Sequence, residues 1–267
     1  MVILLSLFLS GIFLFFFLEA VYAKIWRKPF LTYTHIFLQT PLTSDIEFIH
    51  KNFPFYEKLS PRKQKIFGHR LVRFIKSKEF ISRGGVPITR EMKLLIGGTA
   101  IMLTFGMRKY SMPSVKRFVI YPSQYESVIS RAEHLGEFNP GLKTIAFSWR
   151  DFMNGHKVAH DNLNLGIHEM AHALSYESLR LNHISAVLFA DGLYKIDMLL
   201  KNNAFISRLE RSSYLRPYAR VNKYEFFAVA LEHFIETPYD FHQQYPELYR
   251  ILHEMLNYKF EKPHFSV

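Results

Sequence analysis

His168-Glu169-Met170-Ala171-His172, inside the uncharged run Leu165-Gly166-Ile167 to Ala173-Leu174, is the most informative stretch of these 267 residues. Two histidines four apart on a helix present their imidazoles on one face, one turn apart. That spacing lets both reach one zinc ion at about 2.0–2.1 Å. Glu169 follows the first histidine and falls beside the open coordination position. There it is suited to take a proton from an attacking water and pass it to a leaving amine. Leu163, Ile167, Met170 and Leu174 recur at helical spacing, which predicts an apolar stripe against a core. Asp161 or Asn162 is the expected cap. The plainer alternative keeps both histidines as satisfied helix-face residues and Glu169 as a solvated carboxylate.

A catalytic zinc takes a third protein ligand and keeps one position open. With no cysteine in the chain, that ligand is His, Asp or Glu, and disulfides are excluded. No third histidine follows at the metzincin spacing. The helix expected over Asn222 to Phe234 offers Glu225, Glu232, His233 and, just beyond it, Glu236. Glu225, Glu232 and Glu236 share a face, so spacing does not choose among them. Glu225 has a competing role, because with Asn222 it could form a capping-box-like pair.

Upstream, Ser60-Pro61 opens a helix with Ile66, Leu71, Phe74 and Ile75 on one side. Gly84-Gly85 breaks the chain before a second helix, capped by Thr89 and carrying Met92, Leu95, Ile96 and Ala100. Phe118 to Tyr121 and Thr144 to Ser148 read as strands. Residues from about 163 to 258 read as helical, broken near Pro217 and Pro238. The sum is an α+β domain, mostly helical, with a small sheet before the His168 helix. Thr144 to Ser148 is the expected edge for holding an extended peptide.

Met1 to Leu18 holds no charged side chain and, as a helix, spans roughly 27 Å, close to the hydrocarbon thickness. Cleavage after Ala23 as a signal peptide is the competing reading. No Lys or Arg precedes the apolar run, whereas Lys24, Arg27 and Lys28 follow it. The expectation is therefore an uncleaved single-pass anchor over 1–23, with Trp26 interfacial. A linker follows over 24–45 and a domain over 46–262, on the cytoplasmic side of the inner membrane. The formal charge of +11 comes without a nucleic-acid motif, so a solvated basic surface is expected and nucleic acid is not.

From about Phe53 to Tyr258 the chain resembles the Mlc titration factor A peptidases, zinc enzymes related to the catalytic domain of anthrax lethal factor. Leu59-Ser60-Pro61, Glu91 to Ile96, Phe147-Ser148-Trp149 and the His168 stretch carry the likeness. So, most specifically, do Pro217-Tyr218-Ala219, Asn222 and Glu225 to Val229. The resemblance implies a zincin-like metallopeptidase fold with one zinc on His168, His172 and Glu225. It also implies Glu169 as general base and Tyr218 as a donor to the oxyanion. The substrate would be a peptide or protein segment, and a regulatory protein a further partner. A membrane-tethered module that sequesters a transcriptional regulator, with little catalysis, is the alternative. The chain departs from the family at Ser175 and Arg216, where Asp is usual, and Asp191 and Asp197 are the candidates to orient a ligand instead. The apolar N-terminal segment is a further addition to the family pattern.

Overall fold

The structure is a computed structural model and describes residues 1–33, 38–127, 131–158 and 160–258. In chain order, the first half holds helices α1 (Val2–Trp26), α2 (Thr43–Asn52), α3 (Pro54–Glu57) and α4 (Pro61–Lys76), strand β1 (Glu79–Ser82) and helix α5 (Arg90–Thr104). Strands β2 (Arg117–Tyr121), β3 (Tyr125–Glu126), β4 (Glu133–His134), β5 (Gly136–Asn139) and β6 (Thr144–Ser148) follow. The rest is helical: α6 (Trp149–Lys157), α7 (Leu165–Ser178), α8 (Ile184–Leu199), α9 (Asn203–Arg211), a 3₁₀ turn (Pro217–Arg220), α10 (Lys223–Glu236), α11 (Pro238–Gln244) and α12 (Pro246–Leu256). The fold is α+β and mostly helical, as the sequence predicts.

Local chemistry accounts for the element starts. Thr89 caps α5 by accepting the Met92 N–H, and Pro61 occupies the first turn of α4, where a missing N–H costs nothing. From Leu94 to Thr104 every side chain of α5 is buried, so this helix is the centre of the core rather than a one-sided stripe. Gly98 lets Phe53 lie directly on it; a Cβ there would stand 2.4 Å from the Phe53 ring.

The four-stranded sheet has the order β1-β2-β6-β5, with β1, β2 and β6 parallel and β5 antiparallel to β6. All five β6 residues are buried, as expected for a strand covered on both faces. This corrects one expectation: β6 is paired on both sides and cannot accept an added strand. The edge beside the helical half is β5, a strand the sequence did not announce, because Gly136, Glu137 and Asn139 disfavour strands.

Among the described residues, α1 is the helix long and apolar enough to cross a membrane by length and composition. Its side chains are exposed from Val2 to Leu18, and the first buried one is Glu19. Glu19 is paired with Arg108, whose Nη1 lies 2.9 Å from Glu19 Oε2, and Arg27 is paired with Asp191 on α8. The helix therefore runs into the domain without a break. Beyond it, buried Arg70 donates to the Thr32 carbonyl, so the segment expected to be a linker packs on the domain at that point. Residues 34–37 of that segment and 259–262 of the expected domain lie outside the described residues.

Candidate metal centre

Helix α7 begins two or three residues later than the capping expectation. Its cap is Asn164, whose side chain accepts the Ile167 N–H at 3.1 Å, while Leu163 precedes the helix and is exposed. Asp161 accepts the Leu163 N–H in the approach turn. The cap is locked to α10: the Asn164 N–H donates to Glu232 at 2.8 Å and its side-chain amide to Glu236 at 2.9 Å. Two carboxylates at a helix N-terminus also suit its dipole.

His168 and His172 leave α7 on one face and meet Glu225 from the first turn of α10. His168 Nε2 is 3.0 Å and His172 Nε2 3.4 Å from Glu225 Oε2. One ligand atom from each of the three residues lies within 4.8 Å of the others. Asn222 caps α10 by accepting the Tyr224 and Glu225 N–H groups, leaving the Glu225 carboxylate to face the histidines rather than close a capping box. Of the remaining third-ligand candidates, Glu236 is held at the Asn164 cap. His233 packs its ring 4.7 Å from Tyr214 and is pushed down to about 4 by burial.

Glu232 is the residue whose part the sequence left undefined. It is buried and accepts from His168 Nδ1 at 2.7 Å, so Nε2 is the nitrogen left for a metal. Arg216 in turn donates to both Glu232 oxygens, at 2.7 and 2.9 Å, and to the Asn162 carbonyl at 2.7 Å. The departure at Arg216 thus acquires a partner, a bidentate clamp on the carboxylate behind His168. Ser175 is buried with no partner for its hydroxyl, while Asp191 pairs with Arg27 and Lys195, and Asp197 with Lys201. Neither aspartate reaches His168; the carboxylate that does so from behind is Glu232. Its spacing, seven residues or two turns after Glu225, puts it on the same face of the helix but does not say which atom it meets.

The charges fit a cation between these donors. Burial works to lower His168, but its hydrogen bonds to Glu225 and Glu232 outweigh this and lift it to about 9. Burial works to raise Glu225, but the bonds from His168 and His172 hold its carboxyl far below the usual carboxylate range. Two imidazole nitrogens and one carboxylate, with a further carboxylate behind His168, make a donor set able to hold a divalent metal.

Glu169 is buried against β5, where it accepts a hydrogen bond from the Phe138 backbone N–H. Burial pushes its pKa up, against the pull of His168 and His172. Gly136 makes this contact sterically feasible, since a Cβ there would stand 2.8 Å from Glu169 Cγ. Tyr218, on the 3₁₀ turn, is half exposed, with its ring 5.8 Å from His168 and its hydroxyl in hydrogen-bonding reach of Glu225. Burial and the charges of Glu225 and Glu169 raise its pKa, so the phenol keeps its proton.

An uncharacterised protein of Synechocystis is 23% identical over 221 residues, covering 74% of this chain and 78% of that protein. The family model described as glucose-regulated metallo-peptidase M90 matches residues 31–257, which include α7, the 3₁₀ turn and α10. The chain belongs to this metallopeptidase family, that of the Mlc titration factor, and carries a His-His-Glu cluster able to hold a divalent metal.

Proposed function

We propose that the chain is a zinc-dependent peptidase that hydrolyses peptide bonds, with His168, His172 and Glu225 as zinc ligands. The convergence of these three donor atoms from two helices is the observation that carries the reading. When bound, zinc supplies Lewis-acid polarisation of a carbonyl and acidifies a water. Glu169, raised by burial, is suited to accept that proton and deliver it to the leaving amine. Tyr218, kept protonated, donates a hydrogen bond to the developing oxyanion. Glu232, braced by Arg216, holds His168 with Nε2 forward.

The substrate is a peptide or exposed protein segment laid along β5, whose outer edge is beside Glu169. We place α1 across the inner membrane and the domain of residues 46–262 in the cytoplasm, following the Lys24, Arg27 and Lys28 cluster.

The deciding experiment uses the full chain in detergent, as wild type and Glu169→Gln. Bound metal is measured by emission spectroscopy and cleavage on a peptide library. About one zinc per chain in both proteins is expected. Cleavage should fall about 10²–10⁴-fold in the variant. Zinc without cleavage in the wild type would instead favour a tethered module that sequesters a regulator. A metal-free protein that stays so in added zinc would end both the zinc site and the hydrolytic mechanism.

A further inference from the structure

A net charge of +11 is not used by the metal site, and part of it collects where α1 meets the domain. Val2–Leu18 is exposed and would cover roughly 26 Å as a helix, near the hydrocarbon thickness. The next residue, Glu19, is buried in its pair with Arg108. The bilayer side of the domain is therefore set at the level of Arg108, in the zone where lipid headgroups lie.

Arg108 is also a wall of a cavity of about 250 Å³ between the end of α4 and the turn after α5. Arg73, Lys109, Ser77 and Ser111 line the same cavity, and none of its lining residues is acidic. Arg73 and Lys109 are exposed and form no ion pair within 4 Å among the described residues. The nearby acid Glu177 lies outside the lining. Its carboxylate takes the N–H and hydroxyl of Ser114, at 2.7 and 2.6 Å, and feels the charges of Lys78 and Lys109 without an ion-pair contact to Lys109. After burial, Lys109 and Arg108 are what hold His183 low, a sign of the positive potential here.

We propose that this cavity binds the phosphate of an anionic phospholipid headgroup, through Arg73 and Lys109 with Arg108 at its base. The proposal rests on α1 spanning the membrane. The Arg73 guanidinium and the Lys109 ammonium favour a phosphate, and the Ser111 hydroxyl adds a neutral donor. Arg108 walls the base with its own charge met by Glu19, and the Ser77 hydroxyl is given to the Phe74 carbonyl. A free phosphate has the same chemistry, but the Glu19–Arg108 pair puts this cavity beside lipid rather than in open solvent. A headgroup held there would add a second fastening beside the helix and fix the domain's tilt on the membrane.

The test uses the delipidated full chain in dodecylmaltoside, titrated with phosphatidylglycerol or phosphatidylcholine, with bound lipid per chain measured by native mass spectrometry. Arg73→Gln/Lys109→Gln is the variant, because both side chains are exposed and the Arg108 clamp is left intact. Phosphatidylglycerol should bind in preference to phosphatidylcholine, and the variant should bind it roughly thirty-fold more weakly, from the loss of two interfacial cations. Equal binding of the two lipids, or no loss in the variant, overturns the proposal. Inorganic phosphate that binds as tightly as the lipid overturns the lipid assignment in favour of a free anion. Carbonate washing of native membranes checks the spanning reading separately. Release of the chain would sink that reading, whatever the micelles show, and retention supports it.

Discussion

At the scale of single residues, the carboxylates of α10 divide the work by position. Glu225 faces the imidazoles, Glu232 lies behind His168, and Glu236 closes the cap of α7. Glu232→Gln keeps the shape but removes the charge that orients His168. Zinc affinity should fall about 10–100-fold, measured by chelator competition, with the circular dichroism unchanged. An unaltered affinity would reduce Glu232 to a packing residue. Glu236 is pushed up to about 7 by burial, with its Asn164 bond opposing. Because the folded state binds this proton more tightly than the unfolded chain, the stability it contributes is whole below about 4.5. It is lost as pH rises toward 7. Glu236→Gln should therefore stabilise the protein at pH 8 by about 1–2 kcal/mol, after allowance for partial exposure, and leave it unchanged near pH 4. A Tm difference independent of pH would contradict this.

At the scale of elements, the helices were largely legible and strand β5 was not. The presence of α5, its buried Met92, Leu95, Ile96 and Ala100, the Thr89 cap and the breaks at Pro217 and Pro238 follow from spacing and backbone chemistry. So does the pairing of α7 with α10, once the family motif is in view. β5 escaped because its residues satisfy a contact instead of a propensity: Gly136 is needed for room and Phe138 gives its N–H to Glu169. Glu232 escaped as an orienting group because spacing can place a carboxylate on a face but not say which nitrogen it meets. The β5 contact has a direct consequence. Gly136→Val would drive a branched side chain into Leu165 and Glu169, whose nearest atoms stand 2.7–2.8 Å from even a bare Cβ. About 1–3 kcal/mol of stability should be lost to overpacking. Turnover should fall further than that loss of folded protein explains, while bound zinc remains. Loss of zinc in step with turnover would mean that β5 supports α7 rather than Glu169.

At the scale of the whole molecule, proton and metal compete for one site, and the fold decides how strongly. His168 is lifted to about 9 by its bonds to Glu225 and Glu232, against burial. A raised folded pKa means that this residue stabilises the metal-free protein fully below its unfolded value of about 6.5. That contribution disappears as pH climbs through about 9. Zinc needs the neutral imidazole, so its apparent affinity moves the opposite way, by up to about tenfold per pH unit below 9. Bound metal adds stability by mass action on the folded state alone. Raising the pH from 6.5 to 9 should thus lower the Tm of the chelator-treated protein while widening its gap to the zinc-loaded one. Differential scanning calorimetry of both forms across that interval checks the two slopes together. A gap that narrows with rising pH would show that the proton held by His168 is not the one zinc displaces, and the assignment of Nε2 as a metal donor would have to be abandoned.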